Sequence, residues 1–254
     1  MEKKIIEIDG LKTYYMAFEN KINKGDFLIL HGWGGSSKSW QEIGKKIGSL
    51  GYNVFIPDLP GFGDTEIDKV YTIDDYAGFV EKFVKKVGID NLILLGHSNG
   101  GRISIKLATR GGIKIKKLIL NGAAGIKGPP TLKQKIFKII AKIGKTFKKI
   151  PLYEKLRNLF YRAIGGQDYL NCENEFIKKT FLNMLEGNLK EELKNIKIPT
   201  LLIRGEKDTY TPLKDGKIMN ELVKDSKMII LDGEKHGIHL QNPERLFEVL
   251  KDNL

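Results

Sequence analysis

Three short stretches of this 254-residue chain carry side chains able to do nucleophilic chemistry. Ser98 stands in Gly96-His97-Ser98-Asn99-Gly100-Gly101, with a glycine two residues before it and two after. A serine on a sharp strand-to-helix turn needs small neighbours, because its backbone is strained and its Oγ must stand clear. The competing reading is a glycine-rich turn whose serine caps the following helix. A hydroxyl is a weak nucleophile until a base takes its proton, and the base must itself be oriented. Arg204-Gly205-Glu206-Lys207-Asp208-Thr209 places Asp208 just beyond one apolar run, and Asp232-Gly233-Glu234-Lys235-His236 places His236 just beyond the next. The chain holds only 4 histidines. His239 is the rival base, expected to enter the final helix, and Asp232 or Asp215 could replace Asp208 but sit less well at a strand exit.

Acyl chemistry on Ser98 also needs donors for a developing oxyanion, each worth about 2.7–4 kcal/mol. The backbone N–H of Asn99, immediately after the serine, would supply one. A second is expected from His31-Gly32-Trp33-Gly34-Gly35, whose glycines let backbone amides turn inward. The N–H of Trp33 is the candidate there, and His31 is expected to order the loop rather than titrate in catalysis.

These residues need a frame. Two strand-like runs, Lys4–Ile8 and Thr13–Phe18, are joined by the turn signal Asp9-Gly10. Apolar β-type runs follow at Phe27–Leu30, Tyr52–Ile56, Leu92–Leu95, Lys117–Leu120, Thr200–Ile203 and Lys227–Leu231. Helical patterns lie between them, near Lys38–Leu50, Ile73–Val87, Gly100–Thr109, Leu213–Val223 and Pro243–Leu250. Buried strands alternating with helices predict an α/β fold, a mostly parallel sheet flanked by helices, with the opening hairpin antiparallel at one edge. The candidate residues then fall at the carboxyl ends of strands, where sites form in such sheets.

One segment breaks the rhythm. Residues 125–192 hold no convincing strand and read as a helical cap inserted between core segments 1–124 and 193–254. Leu132, Ile136, Ile139, Ile140, Ile143, Phe147 and Ile150 are spaced to share one helical face, bounded by Pro129-Pro130 and Pro151.

Composition narrows the function classes. An apolar fraction of 41% with 29% charged residues is that of a globular chain. No run approaches the roughly 18 apolar residues of a membrane span. Met1-Glu2-Lys3-Lys4-Ile5 does not open an apolar signal block, so a cytoplasmic location is expected. A lone Cys172 permits neither an internal disulfide nor a cysteine-based zinc site, and no metal or cofactor is expected. Net charge is +12, and the run from Lys127 to Lys149 has eight lysines and no acid. Only 6 of the 43 basic residues are arginine, and no stacking platforms are interleaved with them, so nucleic acid is not an expected partner. Peripheral contact of Lys133–Lys149 with an anionic membrane is the alternative to packing its apolar stripe on the core with the lysines in water. Gly32-Trp33-Gly34-Gly35-Ser36-Ser37-Lys38-Ser39 nearly spells a phosphate-binding loop, but Ser37 stands where that loop requires glycine.

Taken in order, His31-Gly32-Trp33-Gly34-Gly35, Asp58-Leu59-Pro60-Gly61-Phe62-Gly63, Gly96-His97-Ser98-Asn99-Gly100-Gly101, Gly205-Glu206-Lys207-Asp208 and His236-Gly237-Ile238-His239-Leu240-Gln241-Asn242-Pro243 resemble the α/β-hydrolase superfamily over nearly the whole chain. The resemblance implies that Ser98, Asp208 and His236 are nucleophile, acid and base, in the family's chain order, and it favours His236 over His239. Lys235 departs from the glycine that relatives mostly carry before the histidine. Asn121, ending a strand, cannot supply the alternative acid some relatives place there. The implied activity is a serine hydrolase with a helical cap, cleaving a small or medium apolar carboxylic ester through an acyl-enzyme. Carbon–carbon bond hydrolysis by the same triad is the enzymatic alternative, and a non-catalytic ligand-binding protein on the same scaffold is the alternative of another class. Oligomeric state is not legible.

Overall fold

A computed structural model describes residues 1–21, 23–128 and 174–254. The lysine-rich helix expected at 133–149, its apolar stripe, the aromatic residues at 153–169 and Cys172 lie outside the described residues. Of the segment read as a cap, the described parts are 125–128 and 174–192.

Eight strands form one sheet among the described residues: β1 (Glu2–Ile8), β2 (Leu11–Phe18), β3 (Asp26–Leu30), β4 (Asn53–Pro57), β5 (Leu92–His97), β6 (Ile115–Asn121), β7 (Thr200–Gly205) and β8 (Ser226–Leu231). Their spatial order is β1-β2-β4-β3-β5-β6-β7-β8. The β1–β2 hairpin turns through Asp9 and Gly10, both at positive φ (51° and 81°), and β2 pairs antiparallel with β4. From β4 to β8 every pairing is parallel.

The helices are α1 (Gln41–Ser49, entered through a 3-10 turn at Ser37–Trp40), α2 (Ile73–Val87), α3 (Asn99–Arg110), α4 (Glu175–Glu186), α5 (Lys190–Lys194), α6 (Leu213–Leu222), α7 (Ile238–Gln241) and α8 (Pro243–Lys251). α2 shows why the expected boundaries are met. Thr72 and Asp75 form a reciprocal capping box at its start, and Gly88 closes it in the left-handed conformation at φ 74°.

The twofold alternation of strand side chains sorts the core into two layers. Leu28, Leu30, Leu94, Leu118, Leu120 and Leu202 face one side, against Tyr76, Val80 and Phe83 of α2 and Ile103 and Leu107 of α3. Phe27, Ile29, Ile93, Leu95, Ile119 and Ile203 face the other, against Ile43 and Ile47 of α1 and Leu246 and Leu250 of α8. The central sheet is therefore buried on both faces.

One expectation needs correction. His239 does not enter the final helix; it lies in α7, a separate single turn. Pro243 has no N–H and disfavours a helical residue before it, so Asn242 adopts φ −148° and ψ 67° and caps α8 by accepting from the Arg245 N–H.

Candidate active site

Ser98 sits between β5 and α3 at φ 51° and ψ −113°, one of three non-glycine residues at positive φ among those described. Such a conformation costs about 1–3 kcal/mol and persists only where its surroundings enforce it. Two glycines do the enforcing. A Cβ at Gly100 would drive into the Leu30 and His31 carbonyls at the end of neighbouring β3, and one at Gly96 would meet Ser104 Oγ and the Gly100 carbonyl. The Ser98 N–H donates to Asn121 O (3.2 Å), and Ser98 O accepts from the Gly101 and Ala124 amides (3.1 and 3.0 Å). The backbone is thus fully tied while the Ser98 side chain makes no capping bond to α3, which removes the helix-cap reading of this serine.

The loop after β3 closes on this turn. A Cβ on Gly32 would lie 3.1 Å from Ser98 Cβ, so only glycine lets the backbone come so near. Trp33 follows, its indole held between Phe62 (4.8 Å) and Phe181 of α4 (5.0 Å). His31 is fully buried; its Nδ1 donates to Gly32 O (2.8 Å) and its Nε2 accepts from the Leu59 N–H (3.1 Å). That arrangement fixes a neutral tautomer, and burial pushes its pKa down. Asn99 is the first residue of α3, where the N–H has no intrahelical acceptor.

Asp208 lies beyond β7 with its carboxylate almost wholly buried, and each oxygen has assigned donors. Oδ1 accepts from the Tyr210 and Thr211 amides, both at 2.9 Å. Oδ2 accepts from His236 Nδ1 (2.8 Å) and from the Thr211 hydroxyl (2.7 Å). Burial alone would raise the Asp208 pKa, but the bonds from His236 and Thr211 and the imidazole's charge outweigh it and hold the carboxyl below its ordinary value. A donor on Nδ1 leaves Nε2 of His236 as the acceptor of the neutral ring.

The His236 ring packs 4.7 Å from that of His97, the residue before Ser98, and 5.2 Å from that of Tyr210. A Cβ on Gly122 would lie 3.3 Å from His236 Nδ1. The imidazole's hydrogen bonds run through Nδ1 to Asp208 and Thr211, and none joins it to Ser98 Oγ here. Such contacts are commonly long in unliganded enzymes and tighten with substrate.

The rivals are placed elsewhere. His239 is buried, stacked on Trp40 at 4.3 Å and 6° between planes, with its Nδ1 unpartnered among the described residues. Burial, with lesser effects from the neighbouring imidazoles, pushes its pKa down to about 4. Asp215 lies in the first turn of α6, where burial raises its pKa. Asp232 follows β8, and its carbonyl accepts from Arg245. Asn121 gives its carbonyl to His97 Nδ1 (3.0 Å). The Lys235 side chain is exposed and its φ is not positive, so this departure leaves the His236 loop unstrained.

Two residues escaped the sequence reading. Thr211 holds Asp208 by both amide and hydroxyl; the local signal was Asp208 itself, since a loop Asp tends to accept from amides just beyond it. Arg204 is a buried cation ending an apolar strand, and a charge in that position was the available signal. Among the described residues no group of three or more His, Cys, Asp or Glu side chains is arranged to hold a metal ion, and no helix is long and apolar enough to cross a membrane.

Comparison with known proteins agrees with this architecture. The family described as alpha/beta hydrolase fold matches residues 27–243. The chain is 27% identical to the putative esterase/lipase 2 of Mycoplasma genitalium over 94% of this chain and 92% of that protein. It is 25% identical to the proline iminopeptidase of Saccharolobus solfataricus, over 96% and 89% respectively. In structure it resembles an esterase from Exiguobacterium antarcticum at a TM-score of 0.77 and 22% identity, over 100% and 99% of the two chains. The parallel sheet, the strained serine turn at its centre and the family match over 27–243 together show that this chain belongs to the α/β-hydrolase family and is a hydrolase of that fold.

Proposed function

We propose that the protein is a serine esterase acting on small or medium apolar carboxylic esters. In this reading Ser98 Oγ attacks the ester carbonyl while His236 Nε2 takes its proton. Asp208, bonded to Nδ1, keeps the imidazole in the tautomer whose free nitrogen is a base, and stabilises the imidazolium that forms. The Trp33 and Asn99 amides receive the oxyanion. His236 then returns the proton to the departing alcohol, leaving an acyl group on Ser98. Water activated by the same imidazole releases the acid.

The single observation that carries the reading is the Asp208–His236 bond of 2.8 Å, set beside a strained serine whose side chain caps nothing. The apolar substrate preference is supported by the aromatic wall that Trp33, Phe62 and Phe181 build next to the serine turn, and the printed names of the esterase relatives accord with it. The test is Ser98→Ala assayed on p-nitrophenyl butyrate, with fluorophosphonate labelling of the parent enzyme. The expected loss in kcat is about 10⁴- to 10⁶-fold, as for other serine hydrolases. Unchanged turnover in the variant overturns the assignment.

A further inference from the structure

The most costly feature beneath the site is the side chain of Arg204. It is fully buried at the end of β7 and pairs with no carboxylate among the described residues. Burial pushes its pKa down to about 10, with Asp208 and Asp215 acting in the opposite sense, so the guanidinium stays charged at neutral pH. A buried cation without a paired anion is expensive, and an apolar side chain of similar volume is often the more stable choice. The fold nevertheless makes room for it: a Cβ on Gly216 of α6 would lie 2.8 Å from both Cγ and Nε of Arg204.

What the guanidinium does is join two loops. Its Nη2 donates to Ala123 O (2.8 Å) and reaches Met219 Sδ (3.1 Å), and its Nη1 donates to Thr211 O (3.3 Å). Nε has no partner among the described residues, so the two ends of the planar fork carry the function.

Each loop holds one half of the site. On the first, the Ala124 N–H donates to Ser98 O (3.0 Å), and Gly122 O lies 3.0 Å from the Thr211 hydroxyl oxygen. On the second, Thr211 grips Asp208 through its amide (2.9 Å) and its hydroxyl (2.7 Å), and Asp208 in turn holds His236. The distance between the Ser98 side and the Asp208–His236 side is therefore spanned by one rigid, bidentate group. A lysine ammonium, a compact point charge, lacks the fork that reaches both carbonyls.

We propose that Arg204 is a positioning residue for hydrolysis, clamping the loops after β6 and β7 so that the His236 imidazole is presented to Ser98. The proposal rests on the triad reading above. It acts through Thr211 and touches neither substrate nor reacting atoms.

The experiment compares Arg204→Met, Arg204→Lys, Thr211→Val and the Arg204→Met/Thr211→Val double variant on p-nitrophenyl butyrate, well below each melting midpoint. Misplacing a catalytic group by an ångström can cost about 100-fold, so Arg204→Met is expected to lower kcat by roughly 10- to 100-fold, with KM changed less than about threefold. Fluorophosphonate labelling of Ser98 should slow in parallel. Because Arg204, through the Thr211 carbonyl, and the Thr211 hydroxyl steady the same carboxylate, the double variant should lose less than the product of the two single losses. Should Arg204→Met fail to fold, Arg204→Lys, which keeps the charge, carries the test with an expected kcat loss of about fivefold or more at a near-parental melting midpoint. A folded variant at position 204 with kcat within twofold of the parent, or full multiplicative losses in the double variant, overturns the proposal. Failure of the triad reading is seen separately, as undiminished hydrolysis by Ser98→Ala.

Discussion

Replacing Asp208 by asparagine is the sharpest test of the mechanism, because the hydrogen bonds around the carboxylate dictate how the amide must sit. Two backbone amides, of Tyr210 and Thr211, point at Oδ1 from 2.9 Å. The asparagine oxygen must take that position, since an NH₂ there would face two fixed donors. The amide nitrogen is then forced into the place of Oδ2, 2.8 Å from His236 Nδ1 and 2.7 Å from the Thr211 hydroxyl. The hydroxyl adapts by turning its proton to Gly122 O, which already lies 3.0 Å away. The imidazole adapts only by moving its proton from Nδ1 to Nε2. Nε2 becomes a donor toward Ser98, and the general base of the proposed mechanism is lost with the geometry otherwise intact. By analogy with a serine protease carrying the same change, kcat should fall about 10⁴-fold, equivalent to about 5.5 kcal/mol of activation free energy. KM should move little, since Asp208 is buried away from substrate. Steady-state hydrolysis of p-nitrophenyl butyrate between about pH 6 and about pH 9, alongside a thermal melt, measures this. A folded Asp208→Asn enzyme with kcat within about tenfold of the parent would refute the tautomer argument.

Further outcomes follow from burial and close contact. His239 has a folded pKa of about 4 against about 6.5 unfolded, so between those values the unfolded chain binds the extra proton. Its contribution to stability is complete above about pH 6.5 and is lost as pH falls toward about 4. Between about pH 7.5 and about pH 4.5 the parent should lose roughly 2–3 kcal/mol more than His239→Phe, which keeps a ring on Trp40, in urea unfolding; equal losses would refute the burial argument. The Asp208 carboxyl, held below its ordinary value, adds a second acid-sensitive contribution, present above about pH 4 and lost as pH falls through the lower folded value. Asp208→Asn should therefore show a shallower loss of unfolding free energy below about pH 4. Gly100→Ala pushes a methyl into the Leu30 and His31 carbonyls, which β3 and its loop hold rigidly, and should cost about 3 kcal/mol or more, lowering the melting midpoint by at least about 6 °C. A parental midpoint in that variant would show that the serine turn is not enforced by close approach.

Much was legible in the chain alone, and for a definite reason. Local patterns report local physics: the apolar runs at Phe27–Leu30 and Leu92–Leu95 are strands because they are buried on both faces, and Thr72-Ile73-Asp74-Asp75 starts a helix because it closes a capping box. Glycines two residues either side of Ser98 mark a strained turn, and the strand-exit positions of Asp208 and His236 bring those two side chains within 2.8 Å of each other. The start of the last helix at Pro243 is encoded in the proline itself, whereas the separate single turn that holds His239 carries no such local signal.

Only the tertiary structure decided how these pieces face one another. That His236 rather than His239 meets a carboxylate depends on a turn of helix lying against Trp40, more than a hundred residues earlier in the chain. The double grip of Thr211 on Asp208, and the reach of Arg204 from β7 to Ala123 across 81 positions, join residues that no periodicity connects. A sequence specifies which side chains a strand end will offer, since that follows from spacing along one backbone. Which of them touch depends on the packing of separate loops, fixed only when sheet and helices have closed around a common core.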